Sequence, residues 1–157
     1  MGRSATIEDV IAAIEDAPTP PLIAIDGLPC SGKSTLVERL QQRLDLDCIY
    51  LDDFVLPEAE WPAGIKPAFP FPYIRYEAFQ DAVRTLATVG SCSFFPFDWE
   101  TLAVSTTPRI VGLTKPVLVE GVSALNPRLC DLYGLKIFVD SDQATTLEAA
   151  LQRGVGR

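Results

Sequence analysis

Apolar positions recur at helical spacing near the start of the chain, with Ile7, Val10, Ile11 and Ile14 on one face. They predict a helix over Ser4–Asp16, with Ser4 as its cap. Pro18–Pro21 stops it, and the short apolar run Leu22–Ile25 reads as a buried strand. A Gly-bearing turn over Asp26–Ser34 leads into an amphipathic helix, Ser34–Leu44, and a second strand, Cys48–Leu51, ends at Asp52 and Asp53. Pro57–Pro72, rich in Pro and aromatics, reads either as an ordered irregular excursion or as a surface loop. Beyond it the pattern predicts a helix over Tyr76–Thr88, a strand over Ser93–Phe97 and a short hairpin strand over Arg109–Gly112. A buried strand over Val117–Val119 follows, then a helix over Leu125–Leu132, a strand over Lys136–Val139 and a helix over Thr145–Gln152. Strands alternating with helices imply an α/β fold, a mostly parallel sheet with helices on both faces.

Composition then narrows the chemistry. The 157 residues, 48% hydrophobic and 22% charged, suit one domain over residues 1–157, with 1–20 as helix and Pro-rich lead-in. A formal charge of −8 argues against nucleic acid as a partner, since phosphate neutralisation needs clustered Lys and Arg. Without any His, imidazole bases, nucleophiles and metal ligands are excluded. Cys30, Cys48, Cys92 and Cys130 are scattered, with no C-x-x-C pair. No run is apolar enough for a signal or a membrane span, so a cytoplasmic protein is expected.

The strongest chemical signal is Gly27-Leu-Pro-Cys-Ser-Gly-Lys-Ser34, which fits G-x-x-x-x-G-K-[ST] between a predicted strand and a predicted helix. Its glycines let successive N–H groups point inward around a phosphate, and the helix start adds its positive dipole end. Gly27, Ser31, Gly32, Lys33, Ser34 and Thr35 are therefore the candidate nucleotide-binding residues. Lys33 would reach the terminal phosphates, and the Ser34 hydroxyl would help hold magnesium. The alternative is an ordinary tight turn. Pro29, lacking an N–H, cannot donate to the cradle.

Carboxylates at predicted strand ends form the second signal, because ligands of open α/β sheets gather outside the carboxyl ends of strands. Asp52 is a candidate base for an attacking hydroxyl, with Asp53 beside it; the alternative for both is a solvated turn. Glu120, at the tip of Val117–Val119, is a candidate for orienting magnesium or else a cap. Asp140 has similar placement but reads as turn chemistry. Arg153 and Arg157, flanked by glycines, read as the start of a lid over 153–157 or as a solvated tail. Phe94, Phe95, Phe97 and Trp99 surround Asp98, as an acceptor pocket or as core. No guanine-type motif is present, since Thr114-Lys-Pro-Val117 lacks the required Asp.

Together, Ile25–Thr35, Leu51-Asp-Asp-Phe54, Val117-Leu-Val-Glu-Gly121 and Leu135-Lys-Ile-Phe-Val-Asp140 resemble the uridine kinase-like P-loop kinases. That group includes uridine–cytidine kinases, nicotinamide riboside kinases, bacterial pantothenate kinase and phosphoribulokinase, and the resemblance runs from Leu22 to Arg157. It implies a P-loop NTPase fold and ATP- and magnesium-dependent phosphorylation of a hydroxyl on a small-molecule acceptor. It places Asp52 as base with Asp53 as its support, Ser34 and Glu120 with magnesium, Arg153 or Arg157 in the lid, and Phe97 and Asp98 beside the acceptor. The chain departs from the nucleoside kinases at Tyr73-Ile-Arg-Tyr76, where a ribose-binding Asp is usual, and Arg75 there reads as a surface residue or as a candidate for an anionic acceptor. It also lacks the His that contacts the base in uridine–cytidine kinases. The further strand and helix that follow the lid in the family are expected to be missing.

Overall fold

The computed structural model describes residues 3–27, 32–60, 74–121, 124–141 and 144–149. Strands are β1 (Arg3–Ser4), β2 (Leu22–Gly27), β3 (Asp47–Tyr50), β4 (Ser91–Phe94), β5 (Phe97–Asp98), β6 (Ala103–Val104), β7 (Arg109–Gly112), β8 (Val117–Glu120), β9 (Leu135–Ser141) and β10 (Ala144–Ala149). Helices are α1 (Ile7–Glu15), α2 (Lys33–Arg43) and α3 (Tyr76–Val89). The main sheet runs β1-β10-β9-β2-β8-β3, parallel from β9 to β3 and antiparallel at β10 and β1. Two small ribbons, β4–β7 and β5–β6, stand beside it.

Alternation along the strands explains why helices cover both faces. Ile23, Ile25, Leu118 and Ile137 point to one side and pack with Val10, Ile11 and Ile14 of α1 and Val37 and Leu40 of α2. Leu22, Ala24, Ile49, Val117 and Val119 belong to the opposite cluster with Phe79, Ala82, Val83 and Leu86 of α3. Every residue of β2 and β8 is buried, the expected state of parallel strands sandwiched by helices. The expected α/β fold, mostly parallel with helices on both faces, is the observed one. No helix among the described residues is long and apolar enough to cross a membrane.

Several boundaries differ from expectation. The first helix is capped by Thr6, whose hydroxyl accepts from Asp9 N–H while Asp9 accepts from Thr6 N–H; Ser4 instead pairs in β1. The helix expected over Thr145–Gln152 is corrected by β10: Ala144–Ala149 is a strand paired antiparallel with β9. The β-branched Thr145 and Thr146 favour the extended state, and pairing with a sheet edge outweighs a weak helical pattern. Leu125–Leu132 forms turns and a short 3-10 segment, Cys130–Leu132, rather than a regular helix. Glu58–Glu60 is a 3-10 turn, while the rest of the Pro57–Pro72 stretch, from residue 61 on, lies outside the described residues.

One close approach governs how the strand ends meet. Gly121 follows β8 with φ 155°, and a Cβ there would collide with the side chain of Leu51, which follows β3. Substituting Gly121→Ala should therefore cost about 2 kcal/mol or more, whereas Gly112→Ala, with open space around it, should change stability by less than about 0.5 kcal/mol. Urea unfolding of both variants measures the difference; equal effects would contradict the close packing.

Candidate functional site

Register sets the site. Ile25 of β2 lies level with Glu120 of β8, which lies level with Tyr50 of β3. The segments leaving the carboxyl ends of these parallel strands are therefore neighbours: Asp26–Gly27, Glu120–Gly121 and the 3-10 turn Leu51–Phe54. This is where an open α/β sheet leaves room for a ligand.

Gly27 closes β2, and Gly32 caps α2 in the left-handed conformation (φ 102°), which a residue with a Cβ resists. Residues 28–31, Ser31 among them, lie outside the described residues. The buried Lys33 ammonium donates to the Gly27 carbonyl at 2.9 Å, so the two ends of the P-loop are linked by the side chain expected to meet a phosphate. Ser34 and Thr35 stand exposed in the first turn of α2, where free N–H groups and the helix dipole favour anions.

Glu120 shares its side of the sheet with Leu118, the side that α2 covers, and only 7% of it is exposed. Burial pushes its carboxyl up to about 7; Asp52, Asp26 and Asp53 push the same way and Lys33 opposes them. Asp26, missed by the sequence reading, is a buried hub. Its Oδ1 accepts from Gly27 N–H at 2.6 Å and its Oδ2 from Leu125 N–H at 2.8 Å, tying the start of the P-loop to the segment beyond Gly121. The cue was available, because Asp26 ends an apolar run as Glu120 does.

The two carboxylates after β3 part company. Asp52 is exposed and makes no hydrogen bond or ion pair among the described residues. Asp53 is partly buried, with Oδ2 3.8 Å from Arg109 Nη1; burial raises its pKa, Arg109 opposes that and the charge of Asp52 adds to it. Arg75 proves to be a backbone clamp. Its Nε donates to Val55 O (3.1 Å), and its Nη2 donates to Asp53 O (3.1 Å) and Phe95 O (3.0 Å). Burial lowers its pKa, with the charge of Asp53 acting the other way. Phe97 is buried against Trp99, their ring centroids 4.7 Å apart, and Asp98 turns its Oδ1 to the Glu100 N–H. Both sit on β5, which lies against the Leu51–Phe54 turn. Lys33, Glu120, Asp52 and Asp53 are thus brought together, with Phe97 and Asp98 at their flank. Arg153 and Arg157 lie outside the described residues.

No group of three or more Asp, Glu or Cys is gathered into a ready-made metal site among the described residues. Magnesium does not require one, since it keeps several waters and is held by one or two protein oxygens plus phosphates. Glu120, buried and acted on by the negative charges of Asp52, Asp26 and Asp53, is a carboxylate that a divalent cation would suit, and Ser34 carries a hydroxyl in the first turn of α2.

These features define an α/β fold with a mostly parallel sheet and a G-x-x-x-x-G-K-S sequence between β2 and α2. No protein-family model matches the chain, and no curated protein matches it. Among solved structures, a possible uridine kinase from Bacillus stearothermophilus is similar over 84% of this chain and 78% of its own, with TM-score 0.67 and 19% identity. A protein provisionally described as a fructose transport system kinase, from Silicibacter sp. TM1040, is similar over 85% of this chain and 74% of its own, with TM-score 0.62 and 23% identity. The chain accordingly shares its fold with these two solved structures.

The raised carboxyl of Glu120 makes a prediction about the protein without nucleotide or metal. The folded state keeps this proton up to about pH 7, whereas an unfolded Glu loses it near 4.5. Stability from this group is therefore present below pH 4.5 and is lost as pH rises through about 7, on the order of 3 kcal/mol in all. Glu120→Gln should raise Tm by roughly 5 °C or more at pH 8 and by little at pH 4. A gain independent of pH would contradict the assignment.

Proposed function

We propose that this protein is an ATP-dependent small-molecule kinase that transfers the γ-phosphoryl group to a hydroxyl of a nucleoside-like or other small metabolite. The observation that carries this reading is the convergence of Lys33, Glu120 and Asp52 where β2, β8 and β3 end. Gly27, Ser31, Gly32, Lys33, Ser34 and Thr35 would bind the phosphates of ATP, and Ser34 and Glu120 would hold magnesium. When bound, magnesium neutralises charge on the phosphates.

Asp52 is the base of this scheme. Its carboxylate takes the proton of the acceptor hydroxyl as that oxygen bonds to the γ-phosphorus. The bond to the β,γ-bridging oxygen breaks, and ADP leaves with that electron pair. Exposure, and the lack of a hydrogen bond or ion pair among the described residues, suit Asp52 to this task better than Asp53, which is engaged by Arg109. Phe97 and Asp98 would flank the acceptor, and Arg153 and Arg157 would close over the phosphates. The acidic charge and scattered cysteines support a cytoplasmic enzyme with no nucleic-acid or membrane partner.

The test is ATP consumption with magnesium across uridine, cytidine, nicotinamide riboside, pantothenate and sugar phosphates. Asp52→Asn should lower acceptor-dependent turnover by roughly 10²- to 10⁴-fold with ATP affinity held within about threefold. Equal turnover in the variant would remove Asp52 as base. A wild-type protein that binds ATP but is silent with every acceptor would point to a non-catalytic nucleotide-binding module.

A further inference from the structure

Asp52 makes no hydrogen bond or ion pair among the described residues, so its position comes from the turn that carries it. That turn is held in an unusual way. The Arg75 guanidinium carbon lies 5.5 Å from the centroid of the Phe54 ring, Phe54 lies 4.7 Å from Phe94 at 33°, and the Arg109 guanidinium carbon lies 5.9 Å from the Phe94 centroid. The result is a continuous stack, cation on ring on ring on cation, running from the start of α3 to β7. Both cations also grip the residue next to Asp52. Arg75 donates to the Asp53 carbonyl and Arg109 pairs with the Asp53 carboxylate. Arg109 is fixed in turn by its second nitrogen, which donates to Asp47 Oδ1 at 3.1 Å, and by β4–β7 pairing, in which it lies level with Phe94.

We propose that Arg109 is a positioning residue for the reaction: through Asp53 and the Phe94–Phe54 stack it fixes the turn that presents Asp52, and Asp53 is its anchor rather than a second base. This rests on the kinase reading with Asp52 as base. Arg75 also holds the turn, but by its backbone carbonyls and as part of the α3 junction, where its own N–H donates to Phe54 O. Among the described residues, Arg109 is the cation that pairs with the Asp53 carboxylate, and it does so from an element outside that junction. A planar guanidinium can meet Asp47, Asp53 and a ring face at once, which an ammonium cannot.

The experiment compares wild type with Arg109→Met, Arg109→Lys and Asp53→Asn, using the acceptor that supports turnover. Misplacing a base by a fraction of an ångström should lower kcat by roughly tenfold or more in Arg109→Met, with acceptor KM and ATP affinity within about threefold. Arg109→Lys should recover part of the loss. Adding Arg109→Met to Asp53→Asn should cost little further, because the two act as one unit. Unchanged kcat in Arg109→Met, or parallel losses of kcat and ATP affinity, would overturn the proposal.

A second readout does not depend on turnover. The charged groups facing Asp53 are Arg109, Asp52, Arg75 and Glu120. The Asp53 carboxyl, followed by carbon NMR, should titrate higher in Arg109→Met than in wild type. If no acceptor supports turnover, the kinase reading fails while a raised Asp53 titration still upholds the Arg109–Asp53 anchor; an unmoved titration overturns the anchor itself.

Discussion

The parallel register of β2, β8 and β3 is the constraint on which the rest of the site depends. These strands are covered by helices on both faces, so their interiors carry only apolar side chains: Leu22–Ile25, Cys48 and Ile49, and Val117–Val119. Polar groups are admitted where the helical cover ends. Because Ile25, Glu120 and Tyr50 lie level, the first polar residues beyond each apolar run emerge together. Gly121 lets the segments pack closer still, since Leu51 occupies the space its side chain would need. A one-residue slip of β8 would turn Glu120 to the other face, away from α2.

This convergence carries an electrostatic cost. The charges of Asp52, Asp26 and Asp53 raise the proton affinity of the buried Glu120, and that of Asp52 raises the proton affinity of Asp53. Lys33 opposes the effect at Glu120 and Arg109 opposes it at Asp53. Asp26 is accommodated differently, by two backbone N–H donors. A region in which carboxylates outnumber cations is stabilised by binding a cation. That is the ordinary trade of stability against function.

Much of this was legible in the sequence, for physical reasons that can be named. Apolar runs too short for helices located β2 and β8, and the glycine pattern before Lys33 located the turn from β2 into α2. The same rule, an acidic residue ending an apolar run, picked out Glu120 and Asp52 and applied equally to Asp26. Arg109 was out of reach. Its partner Asp53 is distant in sequence, and only the pairing of Phe94 with Arg109 across the ribbon places it there. Arg75 read as a surface or anion-binding residue because backbone carbonyls, its actual partners, leave no mark on composition. The Thr145–Gln152 helix failed for a related reason, since strand pairing with β9 is a tertiary interaction that helical periodicity does not register.

The most direct test of the account is calorimetric titration with a non-hydrolysable ATP analogue, with and without magnesium, on wild type, Lys33→Ala and Glu120→Gln. If the strand ends form one phosphate-and-metal site, wild type binds far more tightly with magnesium. Lys33→Ala then loses most of its affinity, and Glu120→Gln loses chiefly the magnesium-dependent part. Binding that is indifferent to magnesium and unaltered by Lys33→Ala would contradict the account, because the nucleotide would then lie somewhere other than the carboxyl ends of β2, β8 and β3.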